Sequence, residues 1–511
     1  MGIARTFLDC LRLRYHDGMS PRRIDRFQSR MLRRAVRHAQ RRSEFYRELY
    51  RGIDPDDPAF SVEQLPTVSK EALMANFDRL ATDPRLKLAE VQQWARDKKR
   101  IGQRFLGRYV VTHTSGTTGT PALFVYDRRE WDMIQALGVT RGMRYKPGFF
   151  ELLRHTGRVL RHHPRISLLS VLGGHFVTYL LFLVTPGMAR RLARFQFLSV
   201  TEPLEEVVEK LNSFSANILH IYPTMLEVLA YEKLEGRLHI DPWAISTSSE
   251  PMTRNAARVI RRAFPRTLLF ETYGTTEGVT LACGCSAGDG MHVNSDYYIL
   301  EPVHEDNTPV EPGEAGDKLL VSCLFCRTMP LLRYELTDVT IPVEGACSCG
   351  LPFPRIRVRG RSDDIFWVLD ADGQPVALPP IPLEALLLET DGLRQYQVVQ
   401  QERNFLRVLF IPLEDGQAEN LTADITRRFR SFLADKGLAE VVRLSVERVQ
   451  QIEREPRSGK IRQIFSKVER LYLPGVPLGE RRSGDDRRTR SQISQEGERR
   501  RRARRLEEDE K

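Results

Sequence analysis

The sequence predicts an α/β protein with a large N-terminal domain of mixed sheets and helices and a smaller α+β C-terminal domain. Between about Tyr109 and Arg357, short apolar runs alternate with helical patterns. After "VRGRSDD" the pattern changes to a shorter series of strands around one helix. The 511 residues are enough for two or three domains with large buried cores, which makes this division physically reasonable.

The individual elements are predicted from hydrophobic periodicity. Buried strands are predicted at "RYVV", "ALFVY", "NILHIY", "WAIS" and "TLLFETYG", and intervening helices at "PLEEVVEKLNSF" and "TRNAARVIRRAF". A more antiparallel section is predicted at "GDKLLVSCLF" and "MPLLRYELTDVTIP". In the small domain we expect strands at "QYQVVQ", "FLRVLFIPL" and "VVRLSVERV", and a helix at "ENLTADITRRFRSFLADKG".

These patterns divide the chain into four regions. We expect a basic helical region over 1–55, a large domain over 56–360, a small domain over 361–475 and a charged tail over 476–511. The tail has almost no apolar side chains, so it cannot bury enough surface to fold alone and is predicted to be disordered.

The net charge of +11 is concentrated at the ends of the chain. Residues 1–55 carry fourteen arginines and six acids, and the tail from Glu480 carries twelve basic and nine acidic residues. The middle is close to neutral, which argues against a specific nucleic-acid partner because such binding needs a continuous basic face. The amphipathic stretch over 20–55 is either a solvated surface helix, which its charge pattern favours, or a peripheral contact with anionic lipid.

One apolar segment, Ile166–Met188, is long enough to span a bilayer. It contains Gly173, Gly174 and His175 and ends at a Pro-Gly pair, so a buried strand, a turn and a buried helix explain it better. Charges also interrupt the start of the chain where a secretory signal would be apolar. We therefore expect a cytoplasmic protein.

The stretch "VTHTSGTTGTP" places a small, hydroxyl-rich loop between two predicted strands. Glycines let backbone N–H groups converge on one point, and Ser and Thr add hydroxyl donors without bulk, which suits phosphate oxygens. The residues concerned are Thr114, Ser115, Gly116, Thr117, Thr118 and Gly119. It is not a Walker loop, because Gly119 is followed by Thr-Pro rather than Lys-Ser/Thr. A surface hairpin uses similar residues, so the loop alone is a weak signal.

Further motifs downstream strengthen the nucleotide interpretation. "TYGTTEG" places Tyr273, Thr276 and Glu277 after a predicted strand, where a ring can stack on a base and a carboxylate can hold Mg²⁺. Asp338 in "RYELTDVT" suits ribose hydroxyls. Arg361 lies in "GRSDD" and Lys460 in "EPRSGKIR".

With these motifs the chain resembles the adenylate-forming superfamily of acyl-CoA synthetases and adenylation domains over about 45–473. The resemblance is strongest to the branch of phenylacetate–CoA ligases, related capsule-biosynthesis proteins and coenzyme F synthetase-like proteins. It implies that ATP and a carboxylic acid give an acyl-adenylate and pyrophosphate, after which a nucleophile displaces AMP. It also implies that the large domain binds ATP and the acyl group and that the small domain moves.

The resemblance assigns roles by motif. It places ATP phosphates on Thr114 to Gly119, and nucleotide contacts on Ser249, Glu250, Pro251, Tyr273, Gly274, Asp338 and Arg361. It makes Thr276, Glu277 and Lys460 catalytic, with Mg²⁺ on Glu277, and makes Asp363 the hinge. By position in the family, Tyr222, Pro223 and His175 border the acyl pocket, and an aromatic acid is the family-level expectation. His175 has the alternative interpretation of a packed histidine.

Two departures from the family pattern concern the acceptor and one phosphate contact. Thr120 stands where the family often has lysine. After "GRSDDIF" the chain reads "WVLDADGQPVALPPIPLE" rather than the family's glycine-bearing turn beside the pantetheine channel. CoA is the expected acceptor; the alternatives are an amine or hydroxyl acceptor, adenylylation of a cofactor, or a non-catalytic membrane-associated binding protein. The oligomeric state is left open.

Seven cysteines raise the question of metal binding, because disulfides are not expected in a cytosolic chain. Some members of the resembled branch carry a cysteine, a histidine seven residues later and then a C-x-C pair. Cys285, His292, Cys347 and Cys349 match that spacing and would form a closed structural zinc site. Cys323 and Cys326 fall in a predicted strand, where positions three apart face opposite sides, so we expect small core residues.

Overall fold

The computed structural model describes residues 2–114, 122–142, 163–170, 172, 175–184, 193–200, 202–252, 254–285, 287–288, 290–361, 366–373, 375–378, 383, 386–387, 390–452 and 462–468. The tail and most of the predicted phosphate loop lie outside these residues, as does the segment that carries Lys460.

The N-terminal region is helical, as its arginine-rich amphipathic pattern indicates. Helix α1 covers Gly2–Asp17, α2 covers Pro21–Arg42 and α3 covers Glu44–Leu49. Proline at the first position begins α2, and the Ser43 side chain caps α3 by accepting a hydrogen bond from the backbone N–H of Tyr46. The buried residues of α2 recur at helical spacing: Ile24, Leu32, Val36 and Ala39. Short helices follow: α4 (Lys70–Ala75), α5 (Phe77–Leu80) and α6 (Leu88–Arg96).

The hydroxyl-rich loop is flanked by a two-stranded antiparallel hairpin. Strand β1 covers Val110–His113 and β2 covers Leu123–Tyr126, and Val110 lies opposite Tyr126. Helix α7 (Arg128–Arg141) begins immediately after β2, at a capping box in which Asp127 and Glu130 satisfy each other's backbone N–H groups.

A nine-stranded mixed sheet forms the centre of the large domain. Its first half contains β3 (Arg165–Ser170), β4 (Arg194–Ser199), β5 (Ile218–Ile221), β6 (Ala244–Ser248) and β7 (Leu268–Tyr273). These pair in parallel in the order β4-β3-β5-β6-β7. Parallel pairing needs crossovers, and the helices between these strands are α8 (Val177–Leu183), α9 (Leu204–Phe214), α10 (Pro223–Leu234) and α11 (Arg254–Ala263).

The second half of this sheet is antiparallel. Strands β8 (Ala282–Gly284) and β9 (Met291–Val293) continue from β7, followed by β14 (Arg355–Arg361) and β13 (Asp338–Val343) at the edge. A separate antiparallel sheet is formed by β10 (Tyr298–Val303), β11 (Lys318–Cys323) and β12 (Leu331–Leu336). The antiparallel section predicted from the sequence is therefore present.

The C-terminal part has its own hydrophobic core. It contains the hairpin of β15 (Phe366–Leu369) and β16 (Pro375–Leu378). It also contains a four-stranded sheet in the order β19-β18-β17-β20, with the bounds Leu393–Glu402 for β17, Phe405–Pro412 for β18, Arg443–Arg448 for β19 and Ile464–Ser466 for β20. Helix α12 (Ala418–Ala434) buries Leu421, Ile425, Phe429 and Leu433 against that core. The predicted α/β class with a smaller C-terminal unit is confirmed.

Two further expectations are settled by the described residues. In the described part of Ile166–Met188 there is a strand, β3, whose last four residues are buried, and a short helix, α8, which is half-buried with only Leu180 fully buried. Among the described helices, none combines the length and apolar character needed to cross a bilayer.

The expectation for Cys323 and Cys326 is wrong in one respect. Both are buried in the core, but their sulfurs form a disulfide rather than facing opposite sides. The reason is that β11 ends at Cys323, so strand alternation no longer governs the residues that follow.

Candidate functional site

Several of the predicted site residues lie at the carboxyl ends of the parallel strands of the central sheet. Strands β3, β5, β6 and β7 run parallel and end at Ser170, Ile221, Ser248 and Tyr273 respectively. Ligands in open α/β sheets bind outside the carboxyl ends of the strands. The predicted pocket residues Tyr222 and Pro223 and the predicted nucleotide loop at Ser249 follow two of these strand ends directly.

The loop after β6 is held in place by the start of α10. One carboxylate oxygen of Glu250 accepts hydrogen bonds from the backbone N–H of Thr224, at 3.2 Å, and from its hydroxyl, at 2.8 Å. Ser249 has a φ of 73°, a left-handed conformation that is uncommon for a residue other than glycine. The predicted nucleotide loop and the predicted acyl-pocket segment are thereby fixed to each other.

The predicted pocket residues differ in their surroundings. Tyr222 is buried, and its hydroxyl lies 2.9 Å from the hydroxyl of Ser170 at the end of β3. His175 is also buried and packs against Trp94 with ring centroids 5.0 Å apart. Burial and the neighbouring His113 lower the pKa of His175 to about 4, which keeps the imidazole neutral. These contacts match the alternative interpretation of a packed histidine.

The sequence did not reveal a second neutral histidine, which lies near the carboxyl ends of the same parallel strands. His220 of β5 places its Nε2 3.0 Å from the hydroxyl of Ser248, and its ring is 5.2 Å from that of Phe182. Burial lowers the pKa of His220 to about 4. The signal available in the sequence was a single histidine inside the apolar run "NILHIY", which does not reveal the Ser248 contact.

The predicted phosphate-loop hairpin contacts the predicted acidic loop directly. Tyr126, the last residue of β2, directs its hydroxyl at the backbone oxygens of Thr276 and Glu277, at 2.8 and 3.0 Å. Glu277 is buried. Thr114 closes the base of the same hairpin: its hydroxyl accepts a hydrogen bond from the backbone N–H of Ala122 at 2.9 Å. Two motifs about 160 residues apart in the sequence are therefore neighbours.

The turn that follows Tyr273 has no room for a larger residue at its first position. A Cβ atom on Gly274 would lie 1.8 Å from the backbone oxygen of Val279, far inside van der Waals contact. The hydroxyl of Thr275 closes the same turn by accepting from the backbone N–H of Gly278 at 3.1 Å. Gly274 thus permits the tight turn that presents Thr276 and Glu277.

The two edge strands bring Asp338 and Arg361 together. Asp338 begins β13 and lies directly opposite Arg361 in the antiparallel ladder with β14. They are 23 positions apart in sequence. The remaining predicted residues, which are Ser115, Gly116, Thr117, Thr118, Gly119, Asp363 and Lys460, lie outside the described part of the chain.

A separate cluster gathers the four predicted metal ligands. The ligand atoms of Cys285, His292, Cys347 and Cys349 all lie within 4.8 Å of one another. The Cys285 and Cys347 sulfurs are 3.6 Å apart, and the Cys349 sulfur is 3.2 Å from His292 Nε2. Zn–S bonds of about 2.3 Å in a tetrahedral site imply sulfur–sulfur separations of roughly 3.8 Å, so the donor set is close to the size that zinc needs.

The surroundings of the cluster also suit a metal. The other nitrogen of His292, Nδ1, donates a hydrogen bond to the backbone oxygen of Phe353 at 2.9 Å, which directs Nε2 toward the sulfurs. Burial and the neighbouring thiols raise the pKa of Cys349, whereas hydrogen bonds with Cys349 and Cys285 outweigh burial and lower the pKa of Cys347; a bound cation would favour the thiolate form of both. Ile24 and Met19 from the N-terminal region cover the cluster.

A buried ionic network beside this cluster was not predicted. Arg141 donates to both carboxylate oxygens of Asp296, at 2.6 and 2.7 Å, and to the side-chain oxygen of Asn294 at 3.2 Å. His16 of α1 contacts the same carboxylate at 2.8 Å, and the Arg141 guanidinium lies 4.6 Å from the Phe353 ring. Burial alone would raise the pKa of Asp296, but the Arg141 charge and the His16 hydrogen bond outweigh it and hold the pKa well below its usual range.

Comparison with known proteins finds similarity to coenzyme A ligases. No protein-family model matches the chain. The phenylacetate–coenzyme A ligase of Aromatoleum evansii is 23% identical over 416 residues, which is 77% of this chain and 79% of that protein. The enzyme of the same name from Thermus thermophilus is 31% identical over 141 residues, covering 26% and 30% of the two chains. The structure of 2-hydroxyisobutyryl-CoA ligase in the postadenylation state has a TM-score of 0.64 at 18% identity and covers 88% of this chain and 91% of that one.

These similarities confirm the resemblance to the adenylate-forming superfamily that the motifs indicate. Within that superfamily the curated relatives named above are phenylacetate–coenzyme A ligases.

Proposed function

We propose that this protein is an ATP-dependent acid–thiol ligase, which activates a carboxylic acid as its acyl-adenylate, releases pyrophosphate and transfers the acyl group to coenzyme A. The observation that carries the proposal is the contact of Tyr126 with Thr276 and Glu277, at 2.8 and 3.0 Å. It joins the hairpin of the phosphate-binding motif to the loop of the metal-binding motif. Similarity to one phenylacetate–coenzyme A ligase over 77% of the chain supports the same reaction.

The residues have complementary roles in this reaction. The hydroxyls and amides of Thr114 to Gly119 bind the ATP phosphates, Glu277 holds Mg²⁺, and Asp338 binds the ribose beside Arg361. Magnesium would neutralise phosphate charge when bound. Tyr273 flanks the adenine opposite the loop of Ser249, Glu250 and Pro251. Lys460 contacts the carboxylate and the α-phosphate, where negative charges must approach each other.

Lys460 and its surroundings offer a direct test of the adenylation step. The Lys460→Ala variant should lose on the order of 10²–10³ in the rate of pyrophosphate release, because one charge that stabilises the transition state is removed. Lys467→Ala is the matched control, since Lys467 is exposed and close in sequence. The assay is pyrophosphate release with ATP·Mg²⁺ and a panel of aromatic and aliphatic acids. Full activity in Lys460→Ala would contradict the proposed chemistry.

The identity of the acceptor needs a separate measurement. Acyl-CoA formation is followed by mass spectrometry in reactions with and without coenzyme A, after the acid has been found. A thioester that forms only with coenzyme A supports the ligase assignment. Pyrophosphate release without a thioester would favour the second candidate, a ligase with an amine or hydroxyl acceptor or one that adenylylates a cofactor, which the departure after "GRSDDIF" motivates.

We further propose that Cys285, His292, Cys347 and Cys349 hold a structural zinc ion. Four protein ligands leave no open position for a water or a substrate, so the ion would stabilise the fold rather than act in the reaction. Purified protein should contain one equivalent of zinc, and Cys347→Ser should lose it and lower the melting temperature. Cys10→Ser is the control, because Cys10 lies outside the cluster. Less than one equivalent in protein purified without chelator would contradict the proposal.

A cytoplasmic location and a mobile small domain that brings Lys460 to the site stay predictions. Fractionation of cells tests the first. Cross-linking in the presence and absence of acyl-adenylate tests the second, because closure would change which residues of 361–475 approach the large domain.

A further inference from the structure

Helix α1 has the reverse of the side-chain distribution expected for a helix packed on a protein core. Its buried side chains include three polar ones, Asp9, His16 and Asp17, beside Leu13. Its outer face exposes the large hydrophobic side chains Phe7 (61%), Leu8 (62%), Leu11 (52%) and Tyr15 (64%). Only eight large hydrophobic residues are exposed in the described part of the chain, so half of them lie on this one helix.

The four exposed residues form a continuous stripe. At 100° per residue, Leu8, Leu11 and Tyr15 lie on one face, and Phe7 extends that face on one side. Isolated exposed hydrophobic residues are ordinary on protein surfaces, but a contiguous apolar patch marks a binding surface. The inner face of α1 is fixed by the His16–Asp296 contact at 2.8 Å, so the helix cannot rotate to bury the stripe.

Arginines border the stripe on both sides. Arg14 lies at one edge and Arg5 and Arg12 at the other, and all three are exposed. The two acids of the helix are turned inward, where Asp9 lies 3.5 Å from Arg12 and Asp17 lies 3.9 Å from Arg14. The next helix adds exposed arginines at four-residue spacing: Arg22, Arg26, Arg30 and Arg34. The outer face of α1 is therefore apolar at its centre and positive at both of its sides.

We propose that α1 docks this protein on an anionic lipid surface, with the stripe of Phe7, Leu8, Leu11 and Tyr15 inserted at the headgroup boundary and the flanking arginines among the lipid phosphates. A helix with an apolar face and basic flanks lies in the plane of a bilayer interface, and each basic residue near an anionic leaflet adds attraction. A second copy of the chain is a poorer fit, because a twofold interface would bring the same arginines against each other. The docking is independent of the proposed reaction.

The test is flotation of the full-length protein with vesicles. The protein should rise with vesicles of phosphatidylcholine and phosphatidylglycerol, bind phosphatidylcholine alone much less, and dissociate at high salt. Leu11→Glu should weaken partitioning by on the order of 10- to 100-fold, because one large apolar side chain no longer enters the interface. Leu413→Glu is the matched control, since Leu413 of the small domain is 49% exposed and should bind as the unsubstituted protein does.

A second variant distinguishes the contribution of the arginines to lipid binding from that of the apolar stripe. Arg5→Gln combined with Arg14→Gln keeps the apolar residues and should reduce the preference for phosphatidylglycerol. Far-UV circular dichroism checks that each variant folds, which surface positions permit. The proposal is overturned if the unsubstituted protein stays with the unbound fraction, or if Leu11→Glu floats as well as Leu413→Glu. It is equally overturned if Leu11→Glu dissolves an oligomer, seen by sedimentation, without changing lipid binding.

Discussion

Replacing His220 by glutamine should remove part of the acid sensitivity of the large domain. His220 is held neutral because burial lowers its pKa from 6.5 to about 4, whereas in the unfolded chain the imidazole takes up a proton at its ordinary pKa. Stability from this residue is fully present above pH 6.5 and is lost as the pH falls from 6.5 toward 4. At pH 5 the unfolded chain is favoured by about 2 kcal/mol through this one group, relative to pH 8.

Glutamine can keep a hydrogen bond to the Ser248 hydroxyl but does not titrate in this range. The assay is guanidinium unfolding at pH 8 and at pH 5, followed by far-UV circular dichroism. The free energy of unfolding should fall between these pH values by about 2 kcal/mol less in His220→Gln than in the unsubstituted protein. His239→Gln is the control, since His239 is exposed and its replacement should leave the pH dependence unchanged. Parallel pH profiles for the unsubstituted protein and His220→Gln would refute the reasoning.

Three further substitutions test the supports of the site. Gly274→Ala places a Cβ 1.8 Å from the Val279 oxygen, so the turn must shift; pyrophosphate release should fall by at least about tenfold. Gly138→Ala, which meets no atom within 4 Å, should not reduce it. Tyr126→Phe removes the hydroxyl that joins the hairpin to Thr276, and should lower kcat while costing only about 1 kcal/mol in urea unfolding; unchanged kcat would contradict this role. Asp296→Asn leaves the buried Arg141 charge with Asp17, 3.3 Å away, as its remaining acidic partner and should cost up to roughly 3–5 kcal/mol, against less than about 1 kcal/mol for the exposed Asp241→Asn. Because the pKa of Asp296 is depressed, its contribution in the unsubstituted protein should persist above pH 4 and decline as the pH falls below it, which acid titration of unfolding measures.

Most helices and strands could be predicted because their apolar side chains recur at helical or strand spacing. The buried runs "NILHIY", "WAIS" and "TLLFETYG" are the parallel strands β5, β6 and β7, and the two predicted helical patterns are α9, which precedes β5, and α11, which lies between β6 and β7. Strand pairing could not be predicted from the sequence, because periodicity does not indicate which strands are neighbours. The contact of β14 with β9, which brings Arg355 opposite His292, joins residues far apart in the chain.

Recognition of the site depended on spacing more than on periodicity. The Cys285–His292 interval and the C-x-C pair match a ligand set of the resembled branch, and the structure places these four residues together. His220, Tyr126 and Arg141 were missed, because each acts through a partner that only the fold supplies. The disulfide of Cys323 and Cys326 was missed for a related reason: the alternation rule holds inside a strand, and β11 ends at the first of them.

The surface of α1 shows where an amphipathic pattern is ambiguous even when the helix is predicted correctly. Periodicity identifies an apolar face and a polar face, and the usual assumption is that the apolar face packs inward. Here two buried pairs determine which face of α1 points inward. His16 pairs with Asp296, and the Asp17 carboxylate lies 3.3 Å from Nε of Arg141. The apolar face is left outside as a consequence.

The same buried network connects three parts of the molecule that the sequence treats separately. Asn294 accepts from Arg141 at 3.2 Å and donates to the backbone oxygen of Thr280 at 2.9 Å, at the end of the turn that carries Glu277. Arg141 also lies over the Phe353 ring, and the Phe353 carbonyl accepts from His292 of the metal-ligand set. Helix α1 reaches this network because His16 contacts Asp296, which accepts from Arg141. Arg141 is therefore linked to α1 through Asp296, to the acidic loop through Asn294 and to the cysteine–histidine cluster through Phe353. These hydrogen bonds form a contiguous chain of buried polar groups from His16 of α1 to the end of the turn that carries Glu277.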